Sequence, residues 1–153
     1  MATINVMFVD DDQTIGTLAN AIFPRYGFRV LSALNTVQAD HILESERVDL
    51  IVCDVLMPQE DGIQFCTRLR NAGKRIPLLF LSTLSQSDVV SRGRLAGAND
   101  YLAKPFDPSE LVRRVLTVLK GSNPQPAPKA VPATPSAFGW MSRLSQGLRS
   151  NPS

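Results

Sequence analysis

Asp10, Asp11 and Asp12 stand together where an apolar stretch, Ile4 to Val9, abruptly stops. A second apolar stretch, Leu50-Ile51-Val52-Cys53, stops at a single acid, Asp54. Carboxylates that cap hydrophobic strands crowd at one edge of a sheet, and their mutual repulsion calls for a cation. A solvated loop explains one such acid; two strand ends closed by Asp point to a metal-dependent site. Asp10, Asp11 and Asp54 contribute about −3, against about +1 from Lys104. Mg²⁺ suits a site of few carboxylates completed by waters and a phosphate. Together with the Lys104 ammonium it would stabilise charge spreading over a transferring phosphoryl group, to which the Ser82 hydroxyl adds a neutral donor. A carboxylate can itself accept the group as an aspartyl phosphate. Asp54, alone at its strand end, is the expected nucleophile, with Asp10 and Asp11 holding the metal.

Such a site needs elements that bring distant positions together. Ile4–Val9 reads as a buried strand. Ile15, Leu18, Ala19 and Ile22 recur at helical spacing until Pro24 and Gly27 end the pattern. Phe28–Leu31 is a brief second strand. Thr36 is expected to cap a helix whose Val37, Ile42 and Leu43 face inward. Val48–Cys53 is a third strand, apolar apart from Asp49, as in a sheet covered on both faces. Met57 to Gly62 is a loop by its Pro and Gly, followed by a helix face of Ile63, Phe65, Cys66 and Leu69. Pro77 opens a fourth strand, Leu78–Leu81. Asp88–Leu95 forms a helix closed near Gly97, and Tyr101-Leu102-Ala103 is a fifth strand ending at Lys104. Asp107-Pro108-Ser109-Glu110 opens the last helix with an N-cap acid, Pro at the first position and Glu at N3. That helix buries Leu111, Val112, Val115, Leu116 and Leu119 and stops at Gly121.

Strands alternating with helices imply an α/β domain with a parallel sheet and right-handed crossovers. Ligands of such sheets bind beyond the carboxyl ends of the strands, where the winding reverses. Asp10, Asp11, Asp54, Ser82 and Lys104 all fall at such ends and are expected to converge.

At this point the chain resembles the receiver domain of two-component response regulators. The resemblance is carried by Val9-Asp10-Asp11, Asp54-Val55-Leu56-Met57-Pro58, Asp61-Gly62, Pro77 to Ser82, and Asp100 to Phe106. It implies a flavodoxin-like (βα)₅ doubly wound fold with strand order 2-1-3-4-5. It implies that Asp54 takes phosphate from a histidine kinase or phosphotransfer protein. Asp11, Asp54 and the Leu56 carbonyl would bind Mg²⁺, Asp10 would act through metal-bound water, and Lys104 would pair with Asp54 and then with the phosphoryl group. Ser82 matches the family's switch hydroxyl and Tyr101 its switch aromatic. Phosphorylation would draw Ser82 in, let Tyr101 swing inward, and reshape the face of the fourth helix, fifth strand and fifth helix for a partner. Lys104-Pro105 matches a bond that is usually cis. Thr83 is larger than the family often has there, which would tighten phosphoryl access. Leu56 and Leu84 cannot orient an attacking water, so spontaneous dephosphorylation is expected to be slow.

The 153 residues, 44% of them hydrophobic, suffice for one domain with a full core, placed at residues 1–121. No apolar run approaches the ~20 residues that span a bilayer, and no export signal is visible, so a cytoplasmic protein is expected. Cys53 and Cys66 read as reduced core residues. Asp12 reads as a helix-start acid, His41 as a solvated surface residue, and Arg92 and Arg94 as a solvated face near the expected output surface. Residues 122–137 carry Pro124, Pro126, Pro128, Pro132 and Pro135, a semi-extended linker composition. Residues 138–153 hold Phe138, Met141, Leu144 and Leu148 at near-helical spacing, with Trp140, Arg143 and Arg149 among them. This segment reads as a disordered tail, a partner-docking helix or a weak membrane contact. The net charge of +2 is too small to imply nucleic-acid binding. The expectation is a stand-alone receiver that catalyses only its own phosphotransfer and signals through protein contact. Two readings compete with it: a binding module that is never phosphorylated, and an aspartate-nucleophile phosphohydrolase. The second rests on Asp10-x-Asp12, a faint match to the haloacid dehalogenase pattern. That family needs a late acidic pair, where only the separated Asp100 and Asp107 are available, and usually a cap segment.

Overall fold

The computed structural model describes residues 3–83 and 87–121. Leu84 and the expected linker and tail at 122–153 lie outside the described residues. Five parallel strands, β1 (Ile4–Val9), β2 (Phe28–Ala33), β3 (Leu50–Asp54), β4 (Leu78–Ser82) and β5 (Asp100–Ala103), form one sheet in the order β2-β1-β3-β4-β5. Helices α1 (Gln13–Ile22), α2 (Thr36–Ser45), α3 (Gly62–Asn71) and α4 (Ser87–Leu95) lie in the crossovers, and α5 (Pro108–Lys120) follows the last strand. The winding reverses between β1 and β3, so the expected strand order holds.

Alternation along each strand splits the core in two. Met7, Val9, Ile51, Cys53, Leu78, Phe80 and Tyr101 face a cluster that includes Ala39, Phe65, Leu69 and Val90 of α2, α3 and α4. Val6, Phe8, Leu50, Val52, Leu79, Leu81 and Leu102 face Ile15 and Ala19 of α1 and Leu111, Val115 and Val118 of α5. Phe23 closes that second layer, with ring centroids 5.4 Å from Phe8 and 5.5 Å from Phe28. The register Val9↔Cys53, Asp54↔Leu81 and Ser82↔Ala103 brings the carboxyl ends of the inner strands level. At the opposite rim the Asn5 backbone N–H donates to the Asp49 carboxylate at 2.8 Å, and Arg47 Nε donates to the same carboxylate at 2.9 Å. No helix among the described residues is long and apolar enough to cross a membrane.

Several boundaries differ from the sequence reading, each for a local reason. β2 runs on to Ala33 because parallel pairing with β1 continues through Val9. β3 starts at Leu50, since Asp49 is committed to Asn5 and Arg47, and it ends on Asp54 itself. Asn35, not Thr36, caps α2, its side chain accepting from the Gln38 N–H at 2.9 Å. Val37 is then exposed and Ala39 takes the inward position. In α5 the inward position goes to Val118, leaving Leu116 at the surface. Asp107 and Pro108 open that helix, but the Asp107 side chain makes no capping bond. The Glu110 carboxylate turns instead to Arg114, one turn on, at 3.5 Å.

Candidate functional site

Where β1 ends, the Asp10 N–H donates to the Ala33 carbonyl at 3.0 Å, anchoring the first acid to the neighbouring strand. The Asp12 N–H donates to Asp10 Oδ1 at 2.9 Å, which turns the chain sharply into α1. Asp12 caps that helix by accepting from the Thr14 N–H at 2.9 Å, and those hydrogen bonds hold its carboxyl below the ordinary value. It is a helix-start acid. Asp10, Asp11 and Asp54 each offer a carboxylate oxygen, and these oxygens lie within 4.8 Å of one another. Asp10 and Asp54 are buried and Asp11 is exposed, so the cluster opens to solvent on one side.

A small divalent cation fits this donor set. Octahedral Mg²⁺ at about 2.1 Å from its ligands places them about 3 to 4 Å apart, compatible with the observed limit. All the donors are hard oxygens, and the Lys104 ammonium by itself cannot balance three carboxylates.

Lys104 follows β5 and is held there by its N–H, which donates to the Ser82 carbonyl at 2.9 Å. Its peptide bond to Pro105 is cis, as the resemblance implies. Its Nζ lies 3.0 Å from Asp10 Oδ2 and 3.6 Å from Asp54 Oδ2. The shorter contact is thus to Asp10, where the resemblance pairs Lys104 with Asp54. Asp10 is only 4% exposed and has least access to water, so it needs the ammonium most. Burial works against the Lys104 charge, but the Asp10 hydrogen bond and the two carboxylates outweigh it and raise its pKa.

Asp54 tells the same story from the other side. Burial first, then repulsion from Asp10, push its carboxyl up to about 6, against the opposing pull of Lys104. Its Oδ1 accepts a long bond, 3.4 Å, from the Leu56 N–H. Leu56 itself is half exposed. Behind the carboxylate, α3 starts at Gly62, where an added Cβ would stand 2.3 Å from the Asp54 carbonyl oxygen. Only glycine permits that approach. The helix start is secured by a capping box: Asp61 accepts from the Gln64 N–H at 2.8 Å, and Gln64 Oε1 accepts from the Asp61 N–H at 3.0 Å. The spacing Asp61-x-x-Gln64 carries that signal in the sequence, although the sequence reading took the segment only as loop.

Ser82 ends β4 and is fully buried, in hydrogen-bonding contact with Tyr101. The Tyr101 ring is 1% exposed, and burial raises its phenol pKa, with Ser82 offsetting part of the rise. The resemblance has this ring swing inward on phosphorylation; here the inward position is already filled. Next to it, Arg114 Nη1 donates to both Asp100 oxygens and to the Tyr101 carbonyl, each at 3.1 Å. Burial raises the Asp100 carboxyl and Arg114 counters it, an ion pair that residue spacing did not announce. Thr83 is exposed beside the site. His41, Arg92 and the Cys53 and Cys66 thiols stay outside it: the first two are exposed, and burial raises the pKa of both thiols.

Comparison with known proteins agrees with this fold. The family model described as response regulator receiver domain matches residues 6–116. An uncharacterized transcriptional regulatory protein of Bacillus subtilis, YbdJ, is 38% identical over 120 residues, 78% of this chain and 52% of that protein. The alkaline phosphatase synthesis transcriptional regulatory protein PhoP of the same organism is 37% identical over 117 residues, covering 76% and 49%. The chain thus spans about half the length of these curated relatives. Among solved structures, the receiver domain of Francisella response regulator 1452 superposes with a TM-score of 0.73 at 30% identity, covering 79% of this chain and all of that one. The chemotaxis response regulator CheY4 of Vibrio cholerae gives 0.71 at 28%, covering 76% and 99%.

Proposed function

The chain belongs to the response regulator receiver family, and from that premise we propose that Asp54 accepts a phosphoryl group from a histidine kinase or phosphotransfer protein. The observation that carries this reading is the meeting of Asp10, Asp11, Asp54 and Lys104 at one sheet rim. An Asp54 oxygen forms the O–P bond as the donor's N–P bond breaks. The donor nitrogen keeps the electron pair and is reprotonated from solvent. Asp11, Asp54 and the Leu56 carbonyl would hold Mg²⁺ directly, with Asp10 acting through its water. The ion supplies charge neutralisation at the transferring oxygens. Lys104 orients and balances the phosphoryl charge, and the Ser82 hydroxyl donates to one of its oxygens. Through Ser82 and Tyr101 the change reaches the surface of α4, β5 and α5, which a downstream protein reads. The chain turns over no external substrate beyond its own phosphotransfer and dephosphorylation, and works in the cytoplasm. Dephosphorylation is slow because Leu56, half exposed beside the site, cannot orient water.

The full chain, incubated with acetyl phosphate and Mg²⁺ and weighed intact, is expected to gain one phosphoryl group. Asp54→Asn abolishes the gain. Uptake that survives in the variant, or none in the parent, refutes the proposal. Steady turnover that Asp10→Asn abolishes would mark a hydrolase instead.

A further inference from the structure

Val55 to Asp61 joins β3 to α3 and carries, at Leu56, the main-chain oxygen assigned above to the cation. Its two ends are tied to each other: the Gly62 N–H donates to the Val55 carbonyl at 2.8 Å, and the Val55 N–H donates to Leu81 at 3.2 Å. Among the described residues no main-chain hydrogen bond reaches Met57, Pro58, Gln59 or Glu60. Gln59 is held at φ 72°, the left-handed region that side chains other than glycine's disfavour. A loop so poorly tied and so strained needs an outside hold to keep one shape.

Arg68 of α3 supplies that hold. Its Nε donates to Glu60 Oε2 and its Nη2 to Glu60 Oε1, both at 2.9 Å, a two-pronged grip on the residue next to the strained one. The same guanidinium donates to Asp40 of α2 at 3.0 Å and lies 5.3 Å from the centre of the Phe65 ring. Thr36, buried at the start of α2, also hydrogen-bonds the Glu60 carboxylate. The pairing holds the Glu60 carboxyl below its ordinary value. An ordinary surface ion pair joins two mobile chains; this one fixes a loop against two helices.

We propose that Arg68 is a positioning residue for the phosphoryl-transfer site: by pinning Glu60 it keeps the Leu56 main chain set toward Asp54 for the cation. The inference rests on the reading that Asp54 is phosphorylated with Mg²⁺. Arg68 touches none of the reacting atoms. Its removal therefore weakens cation binding and leaves chemistry at saturating Mg²⁺ unchanged.

Mg²⁺ affinity of the full chain, measured by calorimetric titration, tests the inference beside the phosphorylation rate with acetyl phosphate. Arg68→Met is expected to weaken Mg²⁺ binding about tenfold, in line with the loss of other groups that orient metal ligands. The rate at saturating Mg²⁺ should match the parent. In metal-free protein, exchange of the Gly62 amide, which bonds the Val55 carbonyl across the loop, should quicken while the β3 and β4 amides hold. Arg68→Lys restores part of the affinity. Adding Gln59→Gly to Arg68→Met restores most of it, because glycine takes the left-handed turn without a clamp. Unchanged Mg²⁺ affinity in a folded Arg68→Met chain overturns the inference while the phosphorylation reading stands. A parent chain that takes no phosphoryl group overturns that reading instead. If Arg68→Met fails to fold, Glu60→Gln carries the same two measurements.

Discussion

Asp54 is placed for reactivity at the expense of comfort. A carboxyl pushed up to about 6 by burial and by Asp10 is penalised in its charged form whenever the metal is absent. The sign follows from linkage: the folded value lies above the unfolded one, so the unfolded chain ionises first as pH rises. Metal-free protein should therefore lose stability from about pH 4 through about pH 6, and Mg²⁺ should remove that loss. Asp54→Asn is expected to raise the melting temperature of metal-free protein at pH 7 by a few degrees, on the order of 1 kcal/mol, while abolishing phosphorylation. A scanning melt in chelator with parent and variant decides it; a variant that melts lower contradicts the assigned strain. Arg114 poses the opposite case. Removing it by Arg114→Met leaves Asp100 buried without a cation and is expected to cost about 3 kcal/mol by urea unfolding. Asp100 is raised by burial even with Arg114 present, so the deficit should deepen as pH rises above the ordinary carboxyl range.

Among the elements, α3 is the one most closely fitted to the site, because its first residue lies against the strand end that bears Asp54. Its capping box makes that start firm. Asp61→Ala should lower stability by about 1 kcal/mol, the usual loss for a removed side-chain cap, read from the urea midpoint at unchanged slope. The Arg68 cluster gives α3 its acid sensitivity. Glu60 is held below its ordinary value, so its share of stability is full at neutral pH and fades as pH falls through that lowered value. The stability gap between parent and Arg68→Met should accordingly be at most about 1 kcal/mol at pH 7 and close below about pH 4. The helical faces that the sequence misassigned share a cause. Val37 and Leu116 are apolar at inward-looking spacing, yet the helix phase is set by other members of the stripe, Ala39 and Val118, whose neighbours were already in place. Ala39 and Val118 stand two positions from Val37 and Leu116, more than half a turn round the helix, on the rows that run through Ile42 and Val115.

For the whole molecule, the gathering of Asp10, Asp54 and Lys104 was legible because β1, β3 and β5 each meet a charged residue at the carboxyl end, while the strand order was implied by the resemblance to receivers. Charge at a strand end is a strong signal, and parallel topology then leaves few arrangements. What stayed hidden depends on which side chains meet when separate elements pack. Lys104 sits nearer Asp10 than Asp54, Arg68 reaches back to both Asp40 and Glu60, and Arg114 braces Asp100. Each is a choice among several acids that only packing makes. The central Phe80 shows how tightly that packing is drawn, since it fills space up to a would-be Cβ on both Gly62 and Gly93, at 3.1 Å. Phe80→Ala should cost about 3 to 5 kcal/mol by urea unfolding.

The two rims of the sheet differ in a way that bears on how the protein yields under load. At the amino-terminal rim Asn5, Arg47 and Asp49 satisfy one another at short distances. The carboxyl-terminal rim gathers like charges that one ammonium cannot settle. Pulled or warmed, the domain should open from the reactive rim and keep the sealed one closed longest. Local breathing and chemical readiness are then concentrated at the same place, and a bound ion quiets both at once.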